Sequence, residues 1–132
     1  MEYDADLSGV SCGCISAIYS ILMPAADNNS DPFKYCDANK VGGYWCPEFD
    51  LMEANRHAFK AIGHKCDDPD TTGVYSNCDR GGKCTLDVLV GLARYAYGAG
   101  SDFNIDTTLP FHVKTEFLES QGVFTGYTIT LS

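Results

Sequence analysis

Apolar and polar residues alternate along the last part of the chain, which is the pattern of a β-strand with one buried face. One alternating run covers Phe111–Phe117, and a second covers Val123–Leu131. His112 lies on the exposed face of the first run. The side chains on its buried face are Phe111, Val113, Thr115 and Phe117. The two runs together predict an antiparallel hairpin with one solvated face.

Two more strands are predicted near the N-terminus, at Glu2–Leu7 and Ile15–Met23. The second is apolar and contains β-branched residues, which indicates a buried strand. The composition of Asp27–Tyr35 is that of a loop, and this loop holds an N-glycosylation sequon that begins at Asn28. The segment Thr85–Tyr97 carries apolar side chains at helical spacing and predicts a short helix.

The stretch Glu48–Asn55 holds three carboxylates beside an aromatic residue, and its local structure has two interpretations. Helix formers and an apolar stripe continue to Ile62, so propensity alone predicts a helix whose acids face solvent. On a strand, Glu48 and Asp50 share a face, and a β-bulge would turn Glu53 onto that face. The strand interpretation lines one groove with three acids, and glycoside hydrolysis uses a pair of carboxylates in this way.

The composition narrows the classes of function. At 132 residues with 45% hydrophobic content, residues 1–132 are expected to form a single domain with a modest core. A net charge of −9 disfavours nucleic acid as a partner, because affinity for phosphate backbones comes mainly from Lys and Arg. No apolar run is long enough to span a bilayer, so no membrane partner is predicted.

Seven cysteines in so short a chain indicate an oxidising compartment, and therefore a secreted, extracellular protein. The alternative is zinc, with four candidate ligands at His64, Cys66, Cys78 and Cys84. None of their spacings forms a CxxC pair, so we predict neither a metal site nor any other cofactor. Because seven is an odd number, at least one thiol is expected to stay free or to bond outside the chain.

The run that begins at Glu48, EFDLMEANRHAFKAIGHKC, resembles the active-site segment of glycoside hydrolase family 7, the cellobiohydrolases and β-1,4-endoglucanases. The resemblance depends on the pattern E-x-D-x-x-E-A-N, which ends at Asn55, and on the following His64. It implies that Glu48 is the nucleophile, that Asp50 assists it, and that Glu53 is the acid/base. Asn55 and His64 are supporting residues by the same resemblance, and the stretch is a strand rather than a helix.

Other segments match the same family. The resemblance implies that Tyr35 and Asp37 face the active-site groove, although an aspartate after a cysteine is also ordinary in a turn. Trp45 is equally suited to stacking on a sugar ring and to filling a core. Tyr75 matches a family position and is a further candidate for substrate binding. The disulfides that the resemblance implies are Cys36–Cys46 and Cys66–Cys84.

The resemblance implies an all-β fold, a concanavalin-like antiparallel β-sandwich of the jelly-roll type that is truncated relative to the family. It covers nearly the whole chain but only the middle part of the family's longer domain. Three explanations stay open: a minimal sandwich with an open groove, a part of something larger, or a chain whose sheets are completed by a protein partner.

Two classes of function follow from the resemblance. The first is a retaining β-1,4-glucan hydrolase of the endo type, since nothing in the chain would roof a tunnel. The second is a noncatalytic carbohydrate-binding or structural module derived from that fold. The presence of all three acids together with His64 favours the enzyme, and β-glucan polysaccharide is then the expected partner.

Overall fold

The computed structural model of the chain describes residues 1–24, 35–87 and 94–132. Within these ranges the chain forms β-strands, one short 3₁₀ turn at Val41–Gly43 and no α-helix, so the all-β prediction is confirmed there. No helix of the described ranges is long and apolar enough to cross a membrane. The strands are β1 Glu2–Ala5, β2 Ser16–Ile21, β3 Glu48–Asn55, β4 Ala58–His64, β5 Cys84–Asp87, β6 Tyr97–Gly98, β7 Ile105–Asp106, β8 Phe111–Ser120 and β9 Val123–Leu131.

The described strands form three sheets. The first has the order β1-β8-β9 with antiparallel pairing throughout, and it places Glu2 opposite Lys114 and Phe117 opposite Tyr127. The second has the order β2-β3-β4-β5, and the third is the short parallel pair β6-β7. The predicted C-terminal hairpin is confirmed as β8-β9, and the predicted first strand is confirmed in a shorter form as β1.

The short helix predicted over Thr85–Tyr97 is wrong where the chain is described. The segment Cys84–Asp87 is β5 and Tyr97–Gly98 is β6, whereas residues 88–93 lie outside the described ranges. Strand β5 hydrogen-bonds to β4, so pairing with a neighbouring strand overrides the local helical spacing. The sequon at Asn28 also lies outside the described residues.

The acidic stretch Glu48–Asn55 is strand β3, as the family pattern predicts and helix propensity does not. A tight turn leads from β3 into β4, and the Asn55 side chain organises it. Its Oδ1 accepts hydrogen bonds from the N–H groups of His57 at 2.8 Å and Ala58 at 3.0 Å, which is the local bonding that favours Asn in turns. The acids therefore lie on an inner strand of the four-stranded sheet rather than on a solvated helix.

Residue contacts divide the chain into two compact units. Unit 1 comprises Met1–Ser16, Glu53–Phe59 and Asp87–Ser132, and unit 2 comprises Ala17–Met52 and Lys60–Leu86. The residues of β3 and β4 are shared between the two units. The expectation of a single domain over the whole chain stays a prediction.

The core of unit 1 is aromatic. Tyr97 is buried and lies edge-on to two other buried rings, with centroid distances of 6.0 Å to Phe59 and 5.8 Å to Phe111. Its hydroxyl donates a hydrogen bond to the carbonyl of Asn55 at 2.8 Å. Burial disfavours the charged phenolate and therefore raises the pKa of Tyr97. Aromatic pairs of this geometry add about 0.5–1.5 kcal/mol beyond the area they bury.

Burial alternates along only the first half of β8. Phe111, Val113 and Thr115 are buried as predicted, whereas Phe117 is 52% exposed, so its predicted inward orientation is wrong. Phe117 instead contacts Phe124 of β9, with ring centroids 6.3 Å apart. The second half of the hairpin thus extends past the core that the described residues form.

The N-terminal apolar segment predicted to be buried, Ile15–Met23, forms β2 but is exposed. Tyr19 is 44% exposed and Leu22 is 61% exposed. Strand β2 is at the edge of its sheet, where it pairs only with β3 among the described strands. Composition therefore predicts the strand correctly but its burial wrongly, because the described part of the chain places no element over the apolar side chains of β2.

Candidate active site

The carboxylate of Glu48 is held at the start of β3. Glu48 is half-buried, and its Oε2 accepts a hydrogen bond from the N–H of Ala38 at 2.9 Å. The donor belongs to a loop that is closed by the disulfide Cys36–Cys46, which confirms the first predicted pairing. This bond ties the donating loop to a residue two positions before Glu48. A charged acceptor bound by a backbone N–H has a strong hydrogen bond and a fixed orientation.

Asp37 is buried in the same loop, and its side chain stabilises the loop itself. Its Oδ1 accepts hydrogen bonds from the N–H groups of Asn39 at 2.8 Å and Val41 at 3.0 Å. Its carbonyl accepts another from the N–H of Cys46 at 3.1 Å. These contacts show that Asp37 stabilises a turn, which is the alternative that its position after a cysteine suggested. Its place in a substrate groove stays a prediction.

Tyr35 lies at the start of this loop, with its hydroxyl 3.3 Å from the hydroxyl of Tyr19. That hydrogen bond, together with partial burial and the nearby Asp37 carboxylate, raises the pKa of Tyr35. The backbone at Tyr35 also explains Gly42, which has a φ of +82°. A Cβ atom at Gly42 would lie 2.1 Å from the carbonyl oxygen of Tyr35, so the loop requires glycine here.

Asp50 and His64 form a buried pair between β3 and β4. Asp50 is 5% exposed and His64 is 7% exposed, and Oδ2 of Asp50 lies 3.0 Å from Nε2 of His64. The other ring nitrogen, Nδ1, lies 2.7 Å from the carbonyl oxygen of Asp79. A carbonyl only accepts hydrogen bonds, so Nδ1 of His64 carries a proton.

The contact between Asp50 and His64 must then hold a second proton. A neutral imidazole that is protonated on Nδ1 has only a lone pair on Nε2. If Asp50 were ionised, two hydrogen-bond acceptors would face each other and no hydrogen bond could form. Two forms satisfy the contact: an imidazolium that donates to the Asp50 carboxylate, or a carboxylic acid that donates to Nε2. In both forms one shared proton fixes the orientation of Asp50, which lies between Glu48 and Glu53 along β3.

The ring of His64 packs against the backbone at Gly82, whose φ is +64°. A Cβ atom there would lie 2.1 Å from Cγ2 of Ile62 and 3.0 Å from Cε1 of His64, so only glycine fits. Neither Gly82 nor the Asp79 carbonyl is among the predicted site residues. The pair Gly81-Gly82 was the available signal for the first, since adjacent glycines mark turns and close backbone approach. A backbone carbonyl leaves no signal in a sequence.

Glu53 lies three residues after Asp50 on β3, is half-buried and belongs to unit 1. Among the described residues, no hydrogen bond or ion pair engages its carboxylate, in contrast to that of Glu48. Asn55 ends the strand, and its Nδ2 donates to the carbonyl of Cys14 at 3.1 Å, in addition to its part in the turn. The β-bulge before Glu53 and the supporting role of Asn55 stay predictions.

Trp45 is half-buried and connects two loops of unit 2 through isolated β-bridges to Asp37 and Tyr75. Two cations lie over its ring, Lys40 at 5.7 Å and Arg80 at 5.8 Å from the centroid. Trp45 and Tyr75 both pack against one small core, formed by Ala38, Cys66 and Cys78. Of the two roles left open for Trp45, these contacts favour core packing, and sugar binding by Tyr75 stays a prediction.

The second predicted disulfide is wrong, because Cys66 bonds to Cys78 and not to Cys84. Cys66 and Cys78 face each other in an isolated antiparallel bridge with their Cα atoms 3.9 Å apart. Cys84 instead begins β5 and lies beside Gly63 of β4. The observed bond also occupies two of the four ligands of the alternative zinc site.

The curated relatives that this chain matches include endoglucanases. The chain is 30% identical to a probable endo-beta-1,4-glucanase celB of Aspergillus clavatus, over 94% of this chain and 35% of that protein. It is also 30% identical to endoglucanase 1 of Humicola insolens, over 90% of this chain and 36% of that protein. The chain thus spans about a third of the length of these relatives. No family model matches the chain.

The solved structures that are similar to this chain are also structures of cellulose-degrading enzymes. An endoglucanase I complexed with cellobiose superposes with a TM-score of 0.83 at 25% identity, over 99% of this chain and 40% of that one. Glycosynthase mutants of Humicola insolens Cel7B give 0.82 at 26% identity, over the same shares of the two chains.

A GH7 family cellobiohydrolase from Daphnia pulex gives a TM-score of 0.77 at 22% identity, over 98% of this chain and 42% of that one, which is a likeness of fold. The predicted class of a truncated β-sandwich is confirmed by these superpositions. The acidic strand β3, the fold and the endoglucanase relatives agree, and nearly the whole chain is thus similar to about a third of a glycoside hydrolase family 7 enzyme.

Proposed function

We propose that this chain carries the catalytic strand of a retaining, endo-acting β-1,4-glucan hydrolase that is secreted. The observation that carries the proposal is a pair of oriented carboxylates on β3. Glu48 is held by the N–H of Ala38, and Asp50 is held by His64. Because the chain spans about a third of its endoglucanase relatives, their activity and substrate are proposals for this chain.

In the proposed reaction, Glu48 attacks the anomeric carbon of the bound sugar while Glu53 gives a proton to the oxygen of the departing chain. The glycosidic C–O bond breaks, and a covalent glycosyl ester forms on Glu48. Glu53, now ionised, takes a proton from water, and the water oxygen attacks the same carbon. Glu48 leaves as a carboxylate, and the sugar retains its configuration after two inversions.

The contacts of the two anchored acids fit this division of roles. Oε2 of Glu48 accepts from the N–H of Ala38, so Oε1 is the atom that we expect to attack. Asp50 acts as a positioning residue, held by the proton that it shares with His64.

The test is the turnover of a soluble β-1,4-glucan by Glu48→Gln, with Glu116→Gln as the matched control. An amide cannot act as the nucleophile, so we expect a loss of more than about 1000-fold, whereas the exposed Glu116 on β8 should tolerate the same change. Glu53→Gln should lose turnover on the polymer yet keep part of it on aryl glycosides, whose leaving groups need no proton. Unchanged turnover in Glu48→Gln would remove the assignment.

A noncatalytic carbohydrate-binding or structural module is the second candidate. The observation that favours it is the exposed apolar face of β2 in a chain that covers only part of its relatives. We propose for the same reason that a further chain segment or a protein partner completes the sheets, since an open edge strand invites pairing. Binding of β-glucan without release of reducing ends, from about pH 4 to about pH 8, would establish the module and contradict the hydrolase.

A further inference from the structure

Cys12 and Cys14 are separated by a single glycine and belong to neither of the two disulfides that the described residues form. Both side chains are exposed. The four bonded cysteines, in contrast, are buried, with exposed fractions between 0% and 8%. Reagents in solvent therefore reach Cys12 and Cys14 directly, whereas the fold shields the two bonded pairs.

The two cysteines lie in one turn, formed by residues 11–14. The N–H of Cys14 donates a hydrogen bond to the carbonyl of Ser11 at 3.0 Å, and Gly13 has a φ of +85°. A positive φ at the third position is what a type II turn requires, and glycine adopts it without strain. Residues two positions apart are at most about 7 Å apart in an extended chain, and a turn brings them closer. A disulfide needs Cα atoms about 4.4–6.8 Å apart, so this spacing suits a bond between Cys12 and Cys14.

Both ends of this turn are tied to the residues that follow Ala54 on the chain. The carbonyl of Val10 accepts a hydrogen bond from the N–H of Arg56 at 3.0 Å, and the carbonyl of Cys14 accepts one from Nδ2 of Asn55 at 3.1 Å. All of these residues belong to unit 1. The hydrogen bonds use backbone carbonyls of the cysteine segment, so they do not depend on the state of the sulfur atoms. The backbone therefore holds Cys12 close to Cys14 both as thiols and as a disulfide.

A bond between Cys12 and Cys14 would add little to the stability of the fold. A disulfide stabilises mainly by restricting the unfolded chain, and this effect grows with the length of the loop that it closes. The bonds Cys36–Cys46 and Cys66–Cys78 join residues 10 and 12 positions apart, whereas Cys12 and Cys14 are two positions apart. Exposed disulfides are also the ones that thiols reduce readily. Spacing and exposure thus indicate a labile bond rather than a structural one.

We propose that Cys12 and Cys14 form a redox-active pair that exchanges with small-molecule thiols and disulfides, independently of the proposed hydrolase. The thiolate of one cysteine attacks a sulfur of a small-molecule disulfide, forms a mixed disulfide and releases one thiol. The other cysteine then attacks the protein sulfur of the mixed disulfide, closes the Cys12–Cys14 bond and releases the second thiol. The pair loses two electrons and two protons, and the small-molecule disulfide takes them up as it becomes two thiols. The reverse sequence opens the bond.

The test is a redox titration of the whole chain in mixtures of reduced and oxidised glutathione, followed by acid quenching, alkylation of the remaining thiols and digestion with trypsin. The first lysine or arginine of the chain is Lys34, so the tryptic peptide 1–34 holds Cys12 and Cys14 and none of the other cysteines. Its mass distinguishes two alkylated thiols, a mixed disulfide with glutathione and an internal disulfide. We expect the internal disulfide to form with an equilibrium constant at least about 1000-fold smaller than that of the two buried bonds.

Cys12→Ser and Cys14→Ser are the matched variants, because each leaves one exposed thiol in the same turn. A neighbouring thiol acts at an effective concentration of about 1 mM or more, so with glutathione at about 0.1 mM the wild-type mixed disulfide should stay below about a tenth of the peptide. Without the second thiol the mixed disulfide cannot resolve, and it should become the main oxidised form of either variant. A wild-type chain that accumulates the mixed disulfide as much as the variants do would overturn the proposal.

The titration of the wild-type chain also decides the proposal without any variant, should a serine variant not fold. A peptide 1–34 that carries glutathione on both cysteines and never the internal bond would show two independent thiols. An internal bond that resists glutathione as strongly as Cys36–Cys46 would be a structural disulfide. Recovery of Cys12 or Cys14 bonded to another cysteine, in this chain or in a second one, would assign it to a different pair. Each of these three results would overturn the proposal.

Discussion

Replacing His64 by alanine should be among the most destabilising single changes in unit 2. The substitution removes the ring that shares a proton with Asp50 and donates to the carbonyl of Asp79. Asp50, at 5% exposure, must then either stay ionised without its imidazole partner or bind a proton from solvent. Both outcomes cost free energy because a buried charge or a buried polar group loses its hydrogen bond.

The expected loss in free energy of unfolding follows from the burial of both Asp50 and His64. Breaking a buried ion pair by removing one partner costs about 3–5 kcal/mol, and we expect a loss in this range for His64→Ala. Removing both side chains together leaves no buried carboxyl group that has lost its imidazole partner. The double variant Asp50→Ala/His64→Ala should therefore lose about 2–3 kcal/mol less than the sum of the two single losses.

The chain contains a matched control for this cycle. His112 and Asp4 also form a His–Asp contact, at 2.8 Å, but their side chains are 41% and 79% exposed. Solvent screens such a pair, so the same cycle at His112 and Asp4 should give a coupling of about 0.2–1 kcal/mol. The comparison keeps the residue types constant and contrasts a buried pair with an exposed one, in which Nε2 of His112 also lies 3.9 Å from the Glu2 carboxylate.

The assay is unfolding in urea at pH 7, followed by the fluorescence of Trp45, for the wild type and the two sets of variants. A small domain has about 5–15 kcal/mol of stability, so losses of this size are measurable in the midpoint. If His64→Ala does not fold, His64→Gln takes its place, because its amide retains one of the two contacts. A coupling at Asp50 and His64 no larger than that of the exposed pair would refute the shared-proton argument.

Two further predictions concern backbone geometry and pH. Gly82→Ala should lower the free energy of unfolding by about 1–3 kcal/mol. Gly81→Ala is the control, because the nearest atom to its new Cβ is 3.7 Å away, and it should lower the free energy by less than half as much. Equal losses of stability in thermal unfolding would contradict the steric argument. Because burial raises the pKa of Tyr97, the stability that this neutral side chain contributes is fully present below about pH 10 and is lost as the pH rises above it. Unfolding measured from about pH 8 to about pH 11 should show a smaller loss in Tyr97→Phe, and an identical slope would argue against the burial of this group.

Local patterns in the sequence were enough to predict several elements of this protein. Strict alternation predicts the hairpin β8-β9, and the structure pairs these strands antiparallel as expected. The residue pattern of the acidic stretch, through its family, predicts strand β3 although helix propensity disagrees. Alternation and motif spacing are properties of a short segment, so they are readable before the chain folds.

Other features depended on which segments meet in space. The contact between Ala38 and Glu48 joins residues ten positions apart, and that between Asp50 and His64 joins residues fourteen apart. The spacing of these residues in the sequence predicts neither hydrogen bond. The first depends on the path of the loop that carries Ala38, and the second depends on the pairing of β3 with β4. Likewise, Cys66 is bonded to the cysteine that faces it in a β-bridge, although the family pattern indicates a different partner.

Burial shows the same division most clearly. The apolar composition of β2 and the position of Phe117 in an alternating run both predict inward-facing side chains, yet β2 is exposed and Phe117 is 52% exposed. Periodicity states on which face of its own strand a side chain lies, and here it does so correctly for Phe111 and Val113. Whether anything packs against that face is decided by the tertiary structure. Burial requires a second strand or loop that packs on the face, and the sequence of the first strand does not say whether such an element lies nearby.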